Sequence, residues 1–84
     1  MYVYIVECKD GTLYTGYTVD IKNRIKMHNN GSGAKYTRGR QPVNLRYVEP
    51  CFDKSTALKR EKQIKKLNRK QKETLIASVC LLSL

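Results

Sequence analysis

The sequence predicts a small α+β fold: a three-stranded antiparallel sheet flanked by helices, in the order β-β-α-β-α-α. Three observations predict it. Two runs rich in β-branched and aromatic residues are separated by Asp10-Gly11, which is the turn chemistry of a hairpin. A third such run lies at residues 43–51. Elsewhere apolar residues recur at helical spacing behind Asp or Ser, the residues that cap helix N-termini. With 84 residues the chain has room for one domain, residues 1–84, and a modest core.

The first strand is Tyr2 to Cys8. Lys9-Asp10-Gly11 turns the chain, and Thr12 to Thr18 returns. Period-two alternation puts Tyr2, Tyr4 and Val6 on one face and Val3, Ile5 and Glu7 on the other; across the turn Tyr14 and Gly16 share a face. Gly16 inside a strand marks a bulge or a close approach by a ligand or backbone. Asp20 caps a helix to about Asn29, whose stripe combines Ile21 and Ile25 with Arg24 and His28. Asn29 to Pro42 then reads as a mobile basic loop. In the third strand, Val43 to Cys51, Leu45, Tyr47 and Glu49 alternate against Asn44, Arg46 and Val48. Asp53 or Ser55 caps a second helix, Thr56 to about Leu67, with Ala57, Leu58, Ile64 and Leu67 apolar and Glu61 inside that stripe. Gln71 to Leu82 is a short third helix carrying Leu75, Ile76, Val79 and Leu82. The core spans about 2–76. Residues 77–84 form an apolar extension that either packs back or exposes Val79, Leu81, Leu82 and Leu84 for self-association.

Seventeen Lys and Arg against seven Asp and Glu give a net charge of +10, which points to a polyanion, nucleic acid before an acidic membrane. The basic helix lacks a bulky aromatic insertion face, which argues against the membrane. The apolar stretch at 76–84 is too short to span a bilayer, and the start lacks the pattern of a signal peptide. Cys8, Cys51 and Cys80 are an odd number without a CxxC pair, and the only His, His28, lies far from them in sequence. A zinc cluster or a disulfide framework is therefore not expected; the thiols fit a reducing cytoplasm.

Arg24 and Glu61 sit on helix faces that should pack against the sheet, and buried charges are costly unless paired or ion-bound. Two readings stand. One is an internal Arg24–Glu61 salt bridge, or side chains that snorkel out past a thin core. The other is a cleft on the sheet face of Tyr4 and Tyr14, suited to phosphodiester hydrolysis. There a carboxylate can anchor Mg²⁺, a guanidinium can neutralise charge on phosphate oxygens, and a phenol or imidazole can handle the water's proton. Tyrosine is a poor base at its usual pKa of about 10 and needs help.

Tyr2-Val3-Tyr4 and Tyr14-Thr15-Gly16 resemble the two halves of the GIY-YIG signature of a nuclease family that includes excision-repair incision domains, phage homing endonucleases and some restriction enzymes. Arg24, His28 and Glu61 fall where that family places an arginine, often a histidine, and a single metal-binding glutamate. Gly33-Ala34-Lys35 and Ala57-Leu58-Lys59-Arg60-Glu61 are similar to the small stand-alone bacterial branch. Tyr2 stands where the signature has its first Gly, and Thr15 where it has an aliphatic residue. Asn68 lies too close to Glu61 to match the polar Asn of larger members.

The resemblance implies a divalent-metal-dependent endonuclease acting on DNA in the bacterial cytoplasm, in repair or recombination. Tyr4 or Tyr14 would be the base or water-positioning phenol. Arg24 would bind the scissile phosphate, His28 would support proton transfer or contact phosphate, and Glu61 would hold one Mg²⁺ or Mn²⁺. Lys35, Tyr36, Arg38 and Arg40 in the loop, and Lys65 among the cations around Glu61, are the expected nucleic-acid contacts: cations on phosphate, Tyr36 stacked on a base. No base-reading module is evident, so selection by substrate structure or by a protein partner is expected. The rival reading is a catalytically weak or inactive nucleic-acid-binding module on the same scaffold.

Overall fold

The structure, a computed structural model, describes residues 1–82, with side chains to Ser78. Its elements are β1 (Tyr2–Glu7), β2 (Leu13–Thr18), α1 (Ile21–Asn29), β3 (Asn44–Pro50), α2 (Lys54–Lys65) and α3 (Arg69–Leu82). The three strands form one antiparallel sheet in the order β2-β1-β3, so β1 is central and β2 and β3 are edges. The predicted order and sheet are those observed.

Local chemistry sets the helix starts. Asp20 caps α1 by accepting from the Asn23 N–H at 3.0 Å, and Asp53, not Ser55, caps α2 by accepting from the Thr56 N–H at 2.8 Å. The α3 helix begins earlier than its apolar pattern suggests. Asn68 and Gln71 cap each other reciprocally, each backbone N–H donating to the other's side-chain oxygen at 2.9 Å. That exchange satisfies donors of the first turn and draws Arg69 and Lys70 into the helix.

The alternation along β1 splits the core in two. Val3 and Ile5 pack with Tyr47, Ala57, Ile64 and Ile76, under α2 and α3. On the opposite face Tyr4, Val6, Cys8 and Val43 pack beneath Ile21 and Ile25 of α1. Each fully buried aliphatic side chain contributes roughly 1.5–3 kcal/mol. The expected alternation along β3 does not hold. The register shifts between Ile5 and Val6, pairing Ile5 with Tyr47 but Val6 with Leu45. One extra residue in the bulged strand, Arg46, sends Leu45 and Tyr47 to opposite faces. Tyr47 is buried, whereas Leu45 lies exposed beside α1.

The loop before β3 is not the mobile segment the composition suggested. Thr37 is 1% exposed, and turn hydrogen bonds from the Arg38 and Arg40 N–H groups to Ala34 and Thr37 carbonyls close it. Cys8 and Cys51 are free thiols. Among the described residues no helix is long and apolar enough to cross a membrane. The side chains Val79, Leu81, Leu82 and Leu84, whose docking or self-association the sequence left open, lie outside the described residues.

Candidate active site

Tyr4, Tyr14, Arg24 and Glu61 line one cleft of about 470 Å³ along the β2 edge of the sheet, together with Gly16, Tyr17, Thr18 and Lys54. The strand register brings the tyrosines there. Tyr4 pairs with Gly16 and Val6 with Tyr14, so both phenols rise from the same face. Arg24 comes from α1 and Glu61 from α2, which cover opposite faces and reach the same open edge.

Gly16 explains itself by contact. A Cβ there would lie 2.6 Å from Tyr4 Oη and 2.8 Å from its Cζ, so the strand glycine is the space into which the Tyr4 phenol fits. The close approach is by a side chain of the same protein.

Behind Tyr4 sits His28, fully buried. Its Nε2 is 2.8 Å from Tyr4 Oη and its Nδ1 is 2.8 Å from Thr37 Oγ1. The hydroxyl of Thr37 has one proton and gives it to the Ala34 carbonyl, 3.1 Å away. Thr37 Oγ1 therefore accepts from His28 Nδ1–H, which leaves Nε2 with its lone pair, and Tyr4 O–H donates to it. Burial, and then the Arg24 charge, hold the imidazole's pKa below its ordinary value, in agreement with a neutral ring. Burial also pushes the Tyr4 phenol well above its ordinary pKa; Tyr14 and Glu61 add to the rise and Arg24 opposes it. With both nitrogens engaged and no exposed surface, His28 touches Tyr4 and has no route to a phosphate.

The Arg24–Glu61 salt bridge, one of the two readings left open by the sequence, does not form among the described residues. Arg24 Nη1 donates to the Gly33 carbonyl at 3.3 Å, while its Nε is buried with no acceptor. An unmatched buried donor is costly, and a phosphate oxygen in the cleft would match it. Glu61 is half-buried and faces Lys65 Nζ at 3.7 Å, one turn on. Among the described residues it is the single carboxylate lining the cleft, and no group of three or more His, Cys, Asp or Glu able to hold a metal occurs among them. One carboxylate with room for water and phosphate fits a hard, largely hydrated cation such as Mg²⁺ or Mn²⁺.

Tyr14 is held from several sides. Its ring meets His28 edge-on at 5.5 Å, stacks on Tyr36 at 5.6 Å, and has Lys65 Nζ 6.0 Å from its centroid. Burial and then Glu61 raise its pKa, against Arg24. Arg40 lies over the outer face of Tyr36, 4.3 Å from its centroid, and is 3.7 Å from Asp10. Of the expected nucleic-acid contacts, Tyr36, Arg40 and Lys65 thus gather around Tyr14, while Lys35 and Arg38 are exposed on the loop.

One residue escaped the sequence reading: Thr37 fixes the tautomer of His28, and nothing in the linear sequence links them. Lys54, one of the cations expected around Glu61, lines the cleft; it precedes Glu61 by two helical turns, which puts both on one face of α2.

A GIY-YIG fold with its tyrosines, arginine and glutamate on one cleft defines the class. Residues 1–74 match the model of the GIY-YIG catalytic domain, and the chain belongs to this nuclease family. Among its relatives is a UPF0213 protein of Halobacterium salinarum, 58% identical over 74 residues, covering 88% of this chain and 96% of the relative. A UPF0213 protein of Clostridium perfringens is 60% identical over 77 residues, covering 92% and 83%. The solution NMR structure of an E. faecalis protein superimposes with a TM-score of 0.65 at 44% identity, covering 95% of this chain and 85% of that one.

Proposed function

We propose that the chain, with residues 2–76 as its catalytic unit, is a divalent-metal-dependent endonuclease that hydrolyses phosphodiester bonds in DNA. It selects substrates by structure or through a protein partner rather than by base sequence. The observation that carries this reading is the hydrogen bond from the Tyr4 phenol to the lone pair of a neutral, tautomer-fixed His28, beside Arg24 and Glu61 in one cleft.

In this reading Glu61 would hold one Mg²⁺ or Mn²⁺ ion, which supplies Lewis-acid stabilisation of charge on the phosphate when bound. Arg24 binds the scissile phosphate and offers its unmatched Nε–H to charge that develops in the transition state. Tyr4 orients the attacking water. Being too weakly acidic to act as a standing phenolate, it takes the water's proton while passing its own to His28 Nε2. The hydroxide so formed bonds to phosphorus as the bond to the leaving oxygen breaks. That oxygen departs as an anion and takes a proton from water in the open cleft, and His28, left as imidazolium, returns its proton through Tyr4 to solvent. This support favours Tyr4 over Tyr14 as the proton-handling phenol, since Tyr14 has no comparable acceptor among the described residues. The free thiols of Cys8 and Cys51 suit a cytoplasmic setting.

The test is cleavage of labelled single-stranded, duplex and branched DNA with Mg²⁺, Mn²⁺ or EDTA, with Glu61→Gln run alongside. Metal-dependent cutting that vanishes in the variant while binding persists is expected. Salt-sensitive binding with no cutting by either protein would replace the nuclease reading with that of a binding module.

A further inference from the structure

A second hollow, of about 210 Å³, opens beside the catalytic cleft and is lined by Thr12, Leu13, Tyr36, Arg69 and Lys72. The two share a wall. Tyr14 lines the first, Tyr36 lines the second, and the rings are stacked on each other. Among the described residues no carboxylate lines the second hollow. Lys72 is half-buried in it, and no ion pair joins it to an acid among the described residues. The acid next to it in sequence, Glu73, is already taken by Arg69 at 3.3 Å. Arg69 also donates to the Gly11 carbonyl, which anchors α3 against the β1–β2 turn and holds Lys72 in place. A second cation, Lys65, is close enough to depress the Lys72 ammonium's pKa further, after burial as the main cause, with Tyr36 acting the other way.

An ammonium partly withdrawn from water beside another cation, with no counter-ion of its own, is costly. We propose that this hollow is a subsite for a second phosphate of the bound nucleic-acid strand, on the Tyr14 side of the scissile one, with Lys72 as its cation and Tyr36 and Arg69 as its walls. The assignment to a strand rests on the nuclease reading above and on the shared Tyr14–Tyr36 wall. Glu61 and Lys65 lie one helical turn, about 6 Å, apart on α2. A polyanion leaving the catalytic cleft past Tyr14 therefore meets Lys65 and then Lys72. Arg40, stacked on Tyr36, holds the dividing ring upright. The site needs only a phosphodiester oxyanion, so it adds affinity and register without reading bases.

The test is binding of labelled oligonucleotides by the full chain across a salt series, for native protein, Lys72→Gln and Lys22→Gln. Lys22→Gln removes the same charge from α1, outside both hollows. The slope of log K against log salt should fall by about 0.7–0.9 for Lys72→Gln, the value of one phosphate contact. An equal change in both variants would be a net-charge effect and would overturn the proposal. A single uncharged methylphosphonate linkage is then walked along the oligonucleotide. One position should weaken binding several-fold in the native protein and not further in Lys72→Gln. Identical penalties in both proteins at every position would overturn the subsite. So would inorganic phosphate competing at Lys72 while oligonucleotides show no such coupling. Because the readout is binding, coupling without cleavage sinks the nuclease reading alone, and cleavage without coupling sinks the subsite alone.

Discussion

Gly16→Ala tests how tightly the Tyr4–His28 pair is built. The glycine's backbone lies in ordinary extended territory, so the substitution changes only what occupies the space beside Tyr4. The new methyl would sit 2.6 Å from Tyr4 Oη, about 0.8 Å inside the 3.4 Å at which ordinary contact begins. Tyr4 is 1% exposed and packed against Val6, Cys8 and Val43, so its ring cannot swing clear. Any relief of the clash must therefore come from strain in the strand or from displacing Oη within its 2.8 Å hydrogen bond to His28 Nε2, whose geometry tolerates only a few tenths of an ångström. Strained packing costs roughly 1–3 kcal/mol, and a buried polar group left unmatched costs about 1–3 kcal/mol more. Even the low ends together give about 2 kcal/mol, against a total stability of roughly 4–13 kcal/mol for a domain of this length. The variant should fold, with its urea midpoint lowered by about 1–2 M at an m-value of about 1–2 kcal/mol per M. It should also lose most of its cleavage while keeping its affinity for DNA. A Gly16→Ala protein with native midpoint and native cleavage would refute the claim that this glycine exists to seat the phenol.

The neutral state of His28 makes stability depend on pH. Its folded pKa lies below the ordinary 6.5, so the unfolded chain takes up the proton first. The contribution is complete above 6.5 and is lost as pH falls towards the folded value. Urea midpoints measured from about pH 8 down to about pH 5 should drop more steeply for the native protein than for His28→Gln. Asp20→Ala and Asp53→Ala each remove a cap seen at 3.0 and 2.8 Å and should each cost about 1 kcal/mol in urea unfolding. Lys54→Gln should raise KM for DNA several-fold and leave kcat near native, the pattern of an exposed cation that lines the cleft and binds substrate and transition state alike.

Much of this arrangement was legible in the sequence because it depends on local rules. Alternation placed Tyr4, Tyr14 and Gly16 together, and the β1–β2 register confirms it. The odd positions of Arg24 and Glu61 on sheet-facing stripes pointed to a cleft before any geometry was known. What was not legible depends on contacts between segments distant in sequence. The bulge at Arg46 is set by how β3 meets β1, so strict alternation misassigned Leu45 and Tyr47 to a common face. The loop's glycines suggested mobility, yet Gly33 is there because a Cβ would lie 2.5 Å from His28 Nδ1. Thr37, which decides where the imidazole proton sits, has no signature short of the fold. Lys72 was one cation among many until the structure showed no ion pair for it among the described residues.

The sheet order has a consequence for how the site comes into being. Tyr4, Tyr14, Arg24, His28 and Thr37 all belong to the hairpin, α1 and the loop after it, with Tyr4 and His28 lying 24 residues apart and His28 and Thr37 nine. Glu61 follows β3, which must travel to the far edge and pair Val48 with Tyr4 before α2 can settle. Long loops close late in folding because their entropy is spent before their contacts form. The proton-handling half thus comes from the first half of the chain, and the one carboxylate that lines the cleft among the described residues comes from the second. A nascent or partly unfolded chain carries the phenol and the guanidinium without Glu61, so it has no competent site until the whole sheet is in register.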